Sequence, residues 1–307
     1  MSNVLLTTLQ ERIESVIRGK SSAVKMALVT LLGRGHLLIE DIPGVGKTTL
    51  AFTIAKATNC TFQRIQFTSD LLPTDIIGVN IYNPDSREFE FRPGPIFTNI
   101  VLADEINRTN PKTQSALLEA MNERRVSVEK KTLTLPDPFM VIATQNPMEY
   151  HGTFPLPESQ LDRFMMHIKL GYPTLEYEKR IVLEQSSFDT IESMPPVISA
   201  EEIVSMQKAV DRVRIDDSLV AYLMSIVTET RRNEKIRLGV SPRGAQFLLK
   251  VAKAAAYYEG RDYVVSGDIK EPAPFVLGHR IILKTRTYIS DAEKIIGEIL
   301  ETIPVPV

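Results

Sequence analysis

The stretch Glu40-Asp41-Ile42-Pro43-Gly44-Val45-Gly46-Lys47-Thr48-Thr49-Leu50 constrains this 307-residue chain more than any other. It follows the apolar run Leu37-Leu38-Ile39 and runs into Leu50-Ala51-Phe52-Thr53-Ile54-Ala55, a pattern of strand, glycine loop and helix. Gly44 and Gly46 admit backbone conformations closed to other residues and let the main chain approach a phosphate. The loop ends at a helix N-terminus, where free N–H groups and the helix dipole favour an anion. Lys47 supplies a point charge to β- and γ-phosphates, and Thr48 offers a hydroxyl to Mg2+. Pro43, Gly44, Val45, Gly46, Lys47, Thr48 and Thr49 therefore form the candidate phosphate-binding set. One departure stands out. The usual pattern opens with a glycine separated by four residues from the Gly-Lys pair, and here Asp41 holds that place.

A second stretch, Asn99-Ile100-Val101-Leu102-Ala103-Asp104-Glu105, reads as a buried strand ending in two carboxylates. In open parallel sheets ligands bind beyond the carboxyl ends of the strands. Asp104 suits the Mg2+ shell, and Glu105 suits orienting and deprotonating a water aimed at a γ-phosphate. Alone, such a pair is weak evidence, because strand ends often carry solvated acids. Downstream of a phosphate loop it is strong evidence. Phe139-Met140-Val141-Ile142-Ala143-Thr144 is another buried strand, ending at Gln145-Asn146-Pro147. Asn146 either bonds the attacking water or γ-phosphate, or simply caps a turn.

Composition narrows the classes. The chain is 43% hydrophobic with net charge −2 and a pI near 6.2. That supports a sizeable core and argues against binding nucleic acid by bulk charge. Cys60 is the only cysteine, so no intrachain disulfide forms and a cytoplasmic home is the plain reading. Four scattered histidines and one cysteine form no metal cluster in sequence. No apolar run reaches membrane-span length, and the N-terminus lacks the pattern of a signal peptide.

Along the chain, residues 5 to 31 read as two helices broken at Arg18-Gly19-Lys20, a turn that either only joins them or borders a nucleotide base. Thr61 to Phe67 alternates as a strand. Leu71 to Gly78 reads as a short helix broken by Pro73. Hairpins are expected near 79–95 and 126–135, the first either decorative or a projecting partner contact. Asn110-Pro111 opens a helix. Leu156 to Phe164 reads as a short helix before a last strand at Met166–Leu170. Arg163 there is either a salt-bridge partner or an arginine finger for a neighbour's ATP. After a helix from Leu175 to Glu184 and a linker at Ser193–Pro196, the pattern turns all-helical. Ser199 and Glu202 make a capping box, and Ser241-Pro242 opens the helix that carries Arg243. A cation at a helix N-terminus opposes the dipole and suggests an incoming anion, although a nearby carboxylate would serve.

Together these residues resemble an AAA+ ATPase: Pro43-Gly44-Val45-Gly46-Lys47-Thr48 as Walker A, Val101 to Glu105 as Walker B, Asn146 as sensor 1, Arg163 as arginine finger and Arg243 as sensor 2. More narrowly, Glu40-Asp41-Ile42-Pro43-Gly44-Val45-Gly46-Lys47-Thr48, Asp104-Glu105-Ile106-Asn107-Arg108, Ala143-Thr144-Gln145-Asn146-Pro147 and Ser241-Pro242-Arg243 look like the MoxR family, in which an acidic pair before the loop is common. The resemblance spans nearly the whole chain. It implies an α/β P-loop NTPase core of three layers with a parallel sheet over residues 1–190, hairpin inserts included, and an all-α lid over 191–307. It implies ATP and Mg2+ as ligands, a ring that is usually a hexamer, and chaperone-like action on protein clients, often with a von Willebrand A-domain partner. Arg18 in the adenine-side motif and Pro272 and Pro274 in the lid depart from the family pattern. Two other readings keep the ATP site but change its use: a nucleic-acid motor, which the low pI disfavours, and a scaffold whose assembly ATP gates.

Overall fold

A computed structural model describes residues 2–128, 131–147, 153–184, 191–285 and 289–306. Helices α1 (Ser2–Val16) and α2 (Ser21–Leu32) precede strand β1 (Leu37–Glu40) and helix α3 (Lys47–Ala57). Then come β2 (Phe62–Gln66), α4 (Pro73–Ile77), β3 (Gly78–Asn83), β4 (Glu88–Pro93), β5 (Ile100–Asp104), α5 (Pro111–Glu123), β6 (Arg125–Val128), β7 (Lys131–Thr134), β8 (Met140–Gln145), α6 (Glu158–Leu161), β9 (Met166–Ile168) and α7 (Leu175–Glu184).

Five strands form one parallel sheet in the order β2-β5-β8-β1-β9. Strand alternation sorts their apolar residues onto two faces. Leu37, Ile39, Ile100, Leu102, Met140 and Ile142 join one buried cluster. Leu38, Val101, Ala103, Val141 and Ala143 join the other. Each fully buried Leu, Ile or Val contributes about 1.5–3 kcal/mol, so two-sided burial outweighs the propensity of any single position. This is the three-layer core that the family resemblance implied.

The two expected hairpins lie outside this sheet. Strands β3 and β4 pair antiparallel, with Tyr82 opposite Phe89, and β6 pairs with β7. Residues 129 and 130 of the second turn lie outside the described residues. Pro73 does not break its helix; it occupies the first turn, where its missing N–H costs nothing.

The C-terminal part is helical, with Ala200–Asp211, Asp217–Arg232, Pro242–Tyr258, two short helices at Ser266–Lys270 and Ala273–Leu277, and Ile289–Thr302. Pro272 is the N-cap of the second of those short helices, and Pro274 sits in its first turn. A short antiparallel pairing of Ile236–Leu238 with Ile282–Leu283 adds to the helices. The capping box at Ser199 forms in full, with Glu202 N–H donating to Ser199 Oγ at 3.2 Å and Ser199 N–H to Glu202 Oε2 at 2.8 Å. These helices share one apolar cluster with α1, α2 and one face of the sheet.

Three of the four histidines are buried parts of this architecture. Val141 N–H donates to His36 Nδ1 at 2.9 Å, and His36 Nε2 lies 3.0 Å from the Met121 carbonyl. Burial, aided by nearby Arg124, pulls His36 down to about 4, so it is neutral. His167 sits between Glu40 Oε2 at 3.0 Å and Glu293 Oε1 at 3.5 Å, tying β1 and β9 to the last helix. Burial opposes its charge, but the carboxylates of Glu293 and Glu40 outweigh burial and raise its pKa. A raised folded pKa adds stability that is present below the unfolded value of about 6.5 and is lost as pH rises through the folded value. His167→Gln should therefore lower the melting temperature most near pH 6 and progressively less in alkaline buffer. A deficit that does not vary with pH in thermal melts would count against a charged His167.

Candidate active site

The loop after β1 takes the shape its glycines allow. Gly44 has φ 83° and Gly46 φ 92°, left-handed conformations that strain any other residue. Apart from its chain neighbours, no atom of the described residues lies within 4 Å of a Cβ built on Gly44, so the space beside the loop there is open. Lys47 opens α3, and its ammonium donates to the Asp41 carbonyl at 2.6 Å and the Ile42 carbonyl at 3.2 Å.

Asp41 has a definite job in the fold. Its Oδ2 accepts the backbone N–H groups of Leu170 at 2.7 Å and Gly171 at 2.5 Å, and its Oδ1 accepts that of Ile42 at 2.9 Å. The carboxylate thus anchors the start of the loop to the end of β9. A glycine there would leave those buried donors unpaired.

A cavity of about 390 Å³ faces the loop. Pro43, Gly44, Gly46, Lys47, Thr48, Thr49, Asp104, Glu105 and Asn146 line it, and so does Arg64. Val45 of the expected set points away and packs on the apolar cluster. Asp104 Oδ1 accepts from Thr144 Oγ1 at 2.6 Å, while Arg64 donates to Oδ2 from Nε at 3.1 Å and Nη2 at 2.6 Å. Glu105 has φ 58°, a rare conformation for a residue with a side chain. Its backbone N–H donates to Thr144 Oγ1 at 2.9 Å, and its Oε2 accepts from Gln66 at 2.7 Å and Arg108 at 2.9 Å. The sequence reading did not single out Arg64 or Gln66. Their signal was the alternation of β2, which puts 64 and 66 on one face of the strand beside Asp104 and Glu105. Thr48 and Asp104 offer hard oxygen donors within one cavity, a set that fits Mg2+ shared with phosphates.

Arg163 and Arg243 are not in this cavity. They line a second one, of 370 Å³, together with Arg34, Arg124 and Lys250. The residues around it include Gly35 and His36, which enter β1, whereas the phosphate loop leaves β1. The two cavities therefore lie at opposite edges of the sheet, roughly 13 Å apart along a four-residue strand. Arg163 Nη1 donates to the Leu118 carbonyl at 2.9 Å, and its buried Nε has no hydrogen-bond partner among the described residues.

Residues 36–166 match the family description "ATPase family associated with various cellular activities (AAA)", and residues 228–302 match "AAA lid domain". The chaperone MoxR1 of Mycobacterium tuberculosis is 40% identical over 308 residues, covering 96% of this chain and 80% of that one. The chain belongs to the MoxR family of AAA+ ATPases. An uncharacterized Bacillus subtilis relative, YeaC, is 50% identical over 305 residues, covering 99% of this chain and 95% of its own. A crystal structure of a Cytophaga hutchinsonii protein assigned as an ATPase superposes with TM-score 0.89 at 38% identity, covering 100% of this chain and 96% of that one. As a MoxR-family ATPase, the chain carries the P-loop core and helical lid that its motifs implied. Among the described residues no helix is long and apolar enough to cross a membrane.

The anchoring by Asp41 is open to test. Asp41→Asn keeps the shape but gives up the charge on two short backbone bonds, so stability should fall by about 1–3 kcal/mol in denaturant melts. Binding of a fluorescent ATP analogue should weaken as well. Unchanged stability would mean that the β9 turn does not depend on that carboxylate.

Proposed function

We propose that this MoxR-family chain hydrolyses ATP in a closed ring, a hexamer, with every site shared by two subunits, and that the cycle remodels or activates a protein client. One observation carries the shared site: Arg163 and Arg243 lie at the sheet edge opposite Lys47, Thr48, Asp104, Glu105 and Asn146. Neither arginine reaches its own subunit's phosphates without crossing the sheet. A neighbour that stacks its loop edge against this arginine edge completes both half-sites, and such head-to-tail contacts close into rings.

In this reading the backbone N–H groups from Gly44 to Thr49 and the Lys47 ammonium hold the β- and γ-phosphates. Thr48 and Asp104 would hold Mg2+, which would supply neutralisation of phosphate charge. Glu105, which lines the cavity while Gln66 and Arg108 hold its Oε2, takes a proton from the attacking water. Asn146 orients that water. Arg163 and Arg243 of the neighbour neutralise charge on the transferring phosphoryl group. The adenine rests near the turn after α1, a choice supported by Ile17 Cδ1 lying 3.9 Å from a Cβ built on Gly46.

A protein client is favoured by the β3–β4 hairpin. Tyr82 and Phe89 stack edge-to-face, with ring centroids 5.5 Å apart, yet are 51% and 71% exposed. Glu88 and Glu90 lie on the same strand as Phe89, which suits an apolar or basic peptide and repels a phosphate backbone. The M. tuberculosis relative, the chaperone MoxR1, points the same way. A partner with a von Willebrand A domain and a cytoplasmic setting complete the reading; the buried free thiol of Cys60 suits a reducing compartment.

The test uses mixed assemblies. Glu105→Gln should bind ATP while turnover falls about 10²- to 10⁴-fold. Arg163→Ala and Arg243→Ala should each be inactive alone and each regain activity when mixed with Glu105→Gln subunits. Failure of both mixtures to recover would refute the shared site. A sedimentation profile that stays monomeric with ATP would refute the ring.

A further inference from the structure

A buried polar knot around Arg280 joins lid and core, and Arg163 and Arg243 of the second cavity flank it. Arg280, in the short 3-10 turn Gly278–Arg280, has a side chain only 1% exposed. Its Nε donates to Asp162 Oδ1 at 2.8 Å. Its Nη2 donates to the carbonyls of Asp162, at 3.2 Å, and Phe164, and its Nη1 to those of Met165, at 3.3 Å, and Val276. One guanidinium therefore grips residues 162, 164 and 165, on both sides of Arg163.

The same group supports the helix that carries Arg243. Ser241, the N-cap of Pro242–Tyr258, donates its hydroxyl to the Asp162 carboxylate at 3.0 and 3.2 Å while accepting Gly244 N–H at 3.1 Å. The Arg280 guanidinium lies over the ring of Phe247, 5.0 Å from its centroid, one turn beyond Arg243. Gly244 makes that approach possible. A Cβ there would sit 2.8 Å from Arg280 Cδ and 2.6 Å from Val240 Cγ1. The glycine of Ser241-Pro242-Arg243-Gly244 is thus favoured by close contact with Val240 and Arg280 and not by backbone conformation.

We propose that Arg280 is a positioning residue that locks the Arg163 turn and the first turn of the Arg243 helix into one rigid unit, so that two cations from different parts of the chain meet a neighbouring subunit's ATP as a pair. This rests on the shared-site reading above and adds to it the element that sets the spacing of the pair. A buried ion pair is a poor source of net stability, because desolvation offsets most of its attraction. What it does well is fix geometry, since the planar fork has five donors in set directions. Here those donors are spent on the carbonyls that flank Arg163. A lysine keeps the charge and loses the fork.

The experiment is Arg280→Lys, read by steady-state ATP turnover, binding of a fluorescent ATP analogue, thermal melting and mixing with Glu105→Gln subunits. Turnover should fall about 10- to 100-fold, the scale on which a misplacement of about 1 Å acts. The analogue should bind within about twofold of the unaltered chain, because the phosphate loop is at the other edge of the sheet. Mixing with Glu105→Gln should restore activity, as for Arg163→Ala. Turnover equal to that of the unaltered chain, loss of analogue binding in step with turnover, or failure to recover in a mixture where Arg163→Ala does recover would each overturn the positioning role while leaving the shared site standing. If Arg163→Ala does not recover either, the shared site fails and the clamp falls with it. Should Arg280→Lys not fold, Ser241→Ala decides. It removes one hydroxyl from the knot and should show the same pattern with a severalfold loss of turnover, and full turnover in that variant would overturn the proposal.

Discussion

The parallel sense of the five-stranded sheet governs everything else in this molecule. Parallel strands send all their carboxyl ends to one edge and all their amino ends to the other. The phosphate loop, Asp104, Glu105 and Asn146 follow β1, β5 and β8, so they gather at the first edge. Arg163 precedes β9 and shares a cavity with Gly35 and His36, which precede β1, so it belongs to the second. One chain therefore presents two cavities at opposite ends of its strands, and no side-chain rotation brings their linings together.

The lid takes its place through buried contacts. Its helices share an apolar cluster with α1, α2 and the sheet, and that non-directional burial supplies the bulk of the attraction. Direction comes from a few buried charges. His167 ties Glu40, the last residue of β1, to Glu293 of the final helix, and Arg280 ties the turn before β9 to the helix that carries Arg243. Exposed pairs such as Arg214–Asp262 add little, since solvent screens them and ordering them costs entropy. The phosphate loop and the arginine edge thus each have a line of buried polar contacts to the lid.

Much of this was readable from the chain. The two-sided strands announced themselves as unbroken apolar runs at 100–103 and 139–143, because burial on both faces leaves no polar alternation. Ser199, Asn110 and Ser241 announced their helices, because a cap is a local event within a few residues. Pro73 was legible as a punctuation mark but misleading in sense, since the same ring that breaks a helix interior starts a helix well. Arg64 and Gln66 lay on an ordinary alternating strand, and only pairing with β5 puts them on the two catalytic-looking carboxylates. Asp41 read as a missing glycine, since the backbone donors it serves come from residues 170 and 171.

The sequence by itself determined the chemistry on offer: a glycine loop with Lys47 and Thr48, two acids after an apolar strand, a polar strand end and two arginines. Those are local matters of residue type, spacing and backbone freedom, and a linear chain displays them. Tertiary structure alone decided how they divide. Strand order set which ends share an edge, and long-range contacts made Asp41 an anchor and Arg280 a clamp. Their partners lie more than a hundred residues away, at distances that spacing along the chain does not encode.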